Sequence, residues 1–158
     1  MRCLLAPQPL ARAFCIILVA AAATAAARTT IIDDSGTLPH DAALALHWQQ
    51  LAPRGSVNNQ VVGTLALRVK LNVTPWLRRT GRIYLVLPAQ QPGALTASWT
   101  TQGRLMPGHL ATGERTLVYA GAITSAFIED TVQLTLSVDG RRLIQGYQIN
   151  FHFEMDEE

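Results

Sequence analysis

Apolar and polar residues alternate with a period of two along most of the chain beyond residue 60, the signature of strands with one buried face. Val61, Gly63, Leu65, Leu67, Val69, Leu71 and Val73 fall on one side, with Thr64, Ala66, Arg68, Lys70 and Asn72 on the other. A one-residue slip would expose the whole apolar set, so the register of this strand is well specified. Gly63 marks the place where a bulge or a bend between sheets is expected. Val132, Leu134, Leu136 and Val138 alternate in the same way and run into Asp139 and Gly140. That dipeptide favours a two-residue hairpin turn, because both residues tolerate positive φ. A return strand is therefore expected beside it, with Leu143, Tyr147, Ile149, Phe151, Phe153 and Met155 on one face.

The remaining segments are shorter. Ile83 to Leu87 is apolar on both faces and stops at Pro88, which suits a central strand. Leu95, Ala97 and Trp99 alternate over 95–101, as do Leu117, Tyr119 and Ile123 over 116–123. Residues 42–51 fit either a strand or a short helix capped by Asp41. We read a strand, because every later segment is strand-like, and this places Trp48, like Trp99, in the core. Residues 28–41 are turn-rich and read as a leader or edge, and 103–113, with Pro107 and Gly108, as a long connection. Six to seven strands result, with turn signals about every 8 to 12 residues, the spacing of an all-β protein. The expected fold is an antiparallel β-sandwich, with a small closed β-barrel as the alternative. Strand count and patterning resemble immunoglobulin-like modules, a likeness of architecture that implies no activity.

The N-terminus changes what the rest must do. Arg2 and Arg12 precede an apolar run from Ala13 to Ala23, and Ala25, Ala26 and Ala27 give a small-residue exit. This reads as a secretory signal peptide over 1–27, cleaved before Arg28. The run falls short of the roughly 20 residues a spanning helix needs, so no membrane span is expected after cleavage. Cys3 and Cys15 leave with the signal, and residues 28–158 form one domain held by its core without disulfides. Of 13 basic side chains two leave with the signal, so 11 face 11 acidic ones. Glu154, Asp156, Glu157 and Glu158 place four of those acids in an acidic C-terminal tail. The balance lacks the dense basic stripe of a nucleic-acid partner.

Candidate chemistry is sparse. His40, His47, His109 and His152 show no metal-ligand spacing, and no nucleophile motif or phosphate-binding loop is present, so no cofactor, metal or catalytic activity is expected. Asp33-Asp34 and Glu129-Asp130 read as solvated or turn-capping carboxylates. Asn72-Val73-Thr74 matches a glycosylation sequon, although Pro75 follows it directly. The best candidate surface is the loop carrying Trp76, Arg78, Arg79 and Arg82. Tryptophan anchors interfaces and arginine grips carboxylates bidentately; the competing reading has Trp76 folded back as a plug while the arginines are solvated. The functional expectation is an exported, periplasmic or extracellular non-catalytic protein that binds another envelope or extracellular protein. The alternative is a carbohydrate- or small-ligand-binding module stacking sugars on Trp76, Tyr84 or Trp99.

Overall fold

The structure, a computed structural model, describes residues 28–39, 45–49, 59–89, 94–142 and 150–157. The proposed signal peptide over 1–27 lies outside the described residues, as do Leu143, Tyr147 and Ile149. The fold is all-β, with two antiparallel sheets that share one core and are not closed into a barrel. One sheet, A, has the order β1 (Thr29–Ile31), β10 (His152–Glu157), β5 (Thr80–Val86), β8 (Arg115–Ala122). The other, B, has the order β2 (Leu38–Pro39), β4 (Gln60–Asn72), β9 (Phe127–Asp139), β6 (Leu95–Thr101), β7 (Gly108–Ala111), and β3 (Ala45–Trp48) also pairs with β4. The closed-barrel alternative is thereby overturned.

The two long alternating segments find each other. β4 and β9 pair over thirteen positions, from Gln60 opposite Asp139 to Asn72 opposite Phe127. Val61 and Leu71 face Val138 and Ile128, all four of them core residues, while Val69 faces the buried Asp130 and Leu65 and Leu67 at the middle of β4 are only partly buried. Gly63 pairs regularly with Leu136, so the bulge expected there is absent. The irregularity lies between Ile83 and Tyr84 of β5, where β8 carries Val118 as an extra residue. This extra residue shifts the alternation expected for 116–123 at one point: Val118 is buried and Leu117 only partly so, while Ile123 is buried and Tyr119 packs against the core as expected.

The expected hairpin does not form. β9 has both edges occupied, by β4 on one side and β6 on the other, so no place remains for a return strand. Chain reversal at its end uses a short 3₁₀ turn, Gly140–Arg142. Asp139 caps that turn by accepting the Arg141 backbone N–H at 3.1 Å and its guanidinium at 2.8 Å. β10 belongs to the opposite sheet, between β1 and β5. Leu134 consequently faces Leu65 and Trp99.

Other differences have equally local causes. The 103–113 connection contains β7, which is short and pairs with β6 from Thr96 opposite Ala111 to Trp99 opposite Gly108. Asp130, buried on β9, accepts the backbone N–H groups of Leu105 at 2.7 Å and Gln102 at 3.3 Å, which folds that connection onto the sheet. A Cβ at Gly103 would press on the Asp130 carboxylate, which would have to shift to admit it. Trp99 is core, and its indole N–H donates to the Met106 carbonyl at 2.9 Å. Trp48 is not core: it is 51 % exposed. Phe151 is only partly buried at the sheet margin, while Phe153 and Met155 on β10 are the buried residues of that face.

Candidate functional site

The loop singled out in the sequence is built by a 3₁₀ turn, Thr74–Trp76, between β4 and β5. Pro75 suits the start of such a turn, since its missing N–H would have no partner there. The turn directs Trp76 inward, where it is 6 % exposed. Its indole N–H donates to Glu157 Oε1 at 2.9 Å, and Arg79 Nη1 pairs with Glu157 Oε2 at 2.8 Å. One carboxylate at the end of β10 thus clamps the plug and its neighbouring arginine together. Arg78 stands apart, exposed and at φ 65°, with its backbone N–H donating to the Ile123 carbonyl at 2.9 Å. Arg82 lies on β5 opposite Asp156. The geometry therefore joins Trp76 to Arg79, aims Arg82 at the β10 acids, and leaves Arg78 pointing elsewhere.

Of the residues read as an acidic tail, Glu154 and Asp156 lie on the outer face of β10, Glu157 ends that strand beside Trp76, and Glu158 lies outside the described residues. Arg115 bridges Asp156 at 2.7 Å and Glu154 at 3.4 Å while lying over the Tyr84 ring at 4.1 Å. Glu154 also meets His152 Nε2 at 3.1 Å. The hydroxyl of Thr29 donates to Asp156 at 2.6 Å. That bond, with the Arg115 guanidinium, holds the Asp156 carboxyl below its ordinary value of 3.8. A depressed native pKa stabilises the fold fully above the unfolded value, and that contribution disappears as pH falls through the lower native value. Asp156→Asn is therefore expected to destabilise the protein at pH 7, with the difference from wild type starting to shrink near pH 3.8 and vanishing only below the lower native value. Denaturant titrations across that range check it.

Three exposed apolar side chains, Leu38, Leu46 and Trp48, lie along one edge of sheet B, while Ile31, Leu77, Met106 and Phe127 are exposed elsewhere. The outer edge of β4 is covered piecemeal, by a bridge from Asp33 to Asn72, by β2 at Leu67 and Arg68, and by β3 at Val61 to Thr64. Leu46 pairs with Gly63 and Trp48 with Val61, so both occupy the inward-facing register of sheet B. Yet Leu46 is 42 % exposed and Trp48 51 %, although Val61, opposite Trp48, is buried in the core. Trp48 rests against Gly140, whose missing Cβ makes room for the ring. Leu38 on β2 is exposed nearby along the same edge. Among the described residues, nothing pairs with the outer edge of β3. Alternation in the sequence reveals the face on which Trp48 lies; it carries no signal for whether that face is covered.

Between the sheets lies a cavity of about 270 Å³. Its walls come from sheet B (Trp99, Val132, Leu134) and sheet A (Leu85, Val118, Phe153), all buried. Its mouth is marked by four partly exposed residues, Asp34, Thr37, Leu67 and Phe151. Burial raises the Asp34 carboxyl above its ordinary value of 3.8; the adjacent Asp33 charge adds to this, while the backbone N–H of Asp34 and the nearby His152 oppose it. Among the described residues, no group of three His, Cys, Asp or Glu side chains is placed to hold a metal ion.

These features define a class: an all-β protein of two antiparallel sheets with an apolar, open sheet edge and an apolar interior cavity. No protein-family model, curated protein or solved structure matches the chain.

Proposed function

We propose that this is an exported, non-catalytic β-sandwich protein that binds another protein by accepting an extended segment along β3. The observation that carries this reading is the exposure of Leu46 and Trp48 in the inward register of an edge strand. An added strand would pair with the edge of β3 that no described residue pairs with and cover both side chains. Large apolar side chains at a sheet edge are otherwise a liability, which the brevity of β2 and β3 and the proline at Pro39 restrain. Trp48 takes the anchoring role first assigned to Trp76, whose ring is enclosed. In the 76–82 loop Arg79 is tied to Glu157, while Arg78 is exposed.

An immunoglobulin-like relation between the sheets fits this reading. β4 and β9 are neighbours in one sheet and β5 and β10 in the other, and the chain crosses between sheets from β4 to β5 and from β9 to β10. Such modules pair their second with their fifth strand and their third with their sixth in the same manner. Sugar stacking has less support. Trp76 and Trp99 are buried, and Tyr84 has a guanidinium over its ring, so these aromatics offer no open platform.

A photo-crosslinking residue at position 48, introduced in the native host, is expected to give one discrete protein adduct. The same reporter at Thr100, exposed on the outer face of sheet B, is expected to give none. Leu46→Lys should abolish the adduct while leaving the melting temperature within a few degrees. Equal labelling from both positions, or none from position 48, would refute the assignment.

A further inference from the structure

Protein interiors are packed as densely as organic crystals and rarely leave voids much larger than a water molecule. The intersheet cavity here, at about 270 Å³, exceeds that by a wide margin. It arises from the sequence. Val69, Val118 and Val132 supply short side chains at one level of the core, where longer residues would meet across the gap. The bulge in the β5–β8 ladder is what turns Val118 inward at that level. Buried apolar side chains from both sheets form the walls, so water inside finds few partners.

The mouth differs from the walls in one respect that bears on the occupant. Asp34 stands there as a partly buried carboxylate. Among the described residues, no side chain donates a hydrogen bond to it. The charged or titratable groups acting on it are Asp33, its neighbour in the chain, and His152 on β10. Thr37 adds a hydroxyl at the same rim, although that oxygen already accepts the Lys70 backbone N–H at 3.1 Å. A pocket with apolar walls and one acceptor at its opening orients a ligand by its polar end.

We propose that the cavity binds a small amphiphilic amine, its apolar body between the sheets and its ammonium group on the Asp34 carboxylate. An apolar cavity of about 150 Å³ accommodates benzene, so this one holds a body of roughly ten heavy atoms. A linear or monocyclic amine meets that limit. The site lies between the sheets, apart from the β3 edge, and stands whether or not a protein binds there.

Three probes of equal chain length separate the contributions: n-octylamine, n-octanol and octanoate. Titrated into the purified protein at pH 8 and followed by calorimetry and by the emission of Trp99 in the cavity wall, octylamine is expected to bind most tightly and octanoate least. Asp34→Asn should weaken octylamine by about ten- to a hundredfold, the worth of a charge-assisted hydrogen bond, and leave octanol unchanged. Val132→Phe, which fills the cavity, should eliminate all three. Should that variant fail to fold, nuclear Overhauser contacts between the octyl chain and the Val118 and Val132 methyls of the wild type replace it. No saturable binding, an octylamine affinity indifferent to Asp34→Asn, or binding that survives in folded Val132→Phe would each overturn the proposal.

Discussion

Phe153→Ala is expected to lower the free energy of unfolding by about 3 to 5 kcal/mol, the range for removing a buried aromatic ring from a core. Phe153 lies on β10, inside sheet A, and is 6 % exposed. Its ring forms part of the cavity wall, so its loss enlarges a void that already exists and leaves neighbours little to collapse onto. Net stabilities of single domains are about 5 to 15 kcal/mol, so the variant should be marginal at 37 °C. Phe151→Ala is the control. That ring is partly exposed at the cavity mouth, and its removal should cost about 1 kcal/mol. Urea titrations check both, with the midpoint falling at constant slope. Similar losses at the two positions would mean that Phe151 is a full member of the core.

Trp76→Ala should be comparably damaging, again about 3 to 5 kcal/mol, since it removes a buried indole and strips Glu157 of a hydrogen-bond donor. Trp76→Phe isolates the second part. It keeps most of the packing and loses the bond to Glu157, an expected cost of about 1 kcal/mol. Arg79→Ala, which removes an exposed ion pair with the same carboxylate, should stay within about 1 kcal/mol of wild type. A Trp76→Ala protein that melts within a few degrees of wild type would show that the ring is dispensable to the core and return it to the list of contact residues.

The strands that could be read from sequence are those whose two faces see different surroundings. β4 and β9 alternate because one face meets the core and the other meets solvent, and β5 likewise buries Gly81, Ile83 and Leu85 while Thr80 and Arg82 are exposed on its other face. What could not be read is whom each strand pairs with. Asp139 and Gly140 carry a strong local turn signal, but the thirteen-position ladder between β4 and β9 outweighs what one dipeptide contributes. β7 escaped notice because Gly108–Ala111 is four residues long and follows a proline. The candidate site was legible only as residue types. Tryptophan beside arginine looks the same in sequence whether it anchors a partner or plugs an end, and the deciding atom, the Glu157 carboxylate, lies 81 positions away.

Because β10 sits between β1 and β5, sheet A cannot be completed until the last described strand has been made. Thr29 and Asp156, hydrogen-bonded across 127 positions, set the span that must be closed. Contacts of such separation slow folding, since loop closure must precede any gain from pairing. A chain emerging residue by residue therefore has the β5–β8 and β4–β9 ladders available before β10 exists, while the edge of β5 that β10 will cover waits unpaired. That interval is when the nascent protein is most exposed to misassembly. A chain cut before His152 should stay in that condition permanently and be recognised as unfolded, whatever the quality of sheet B.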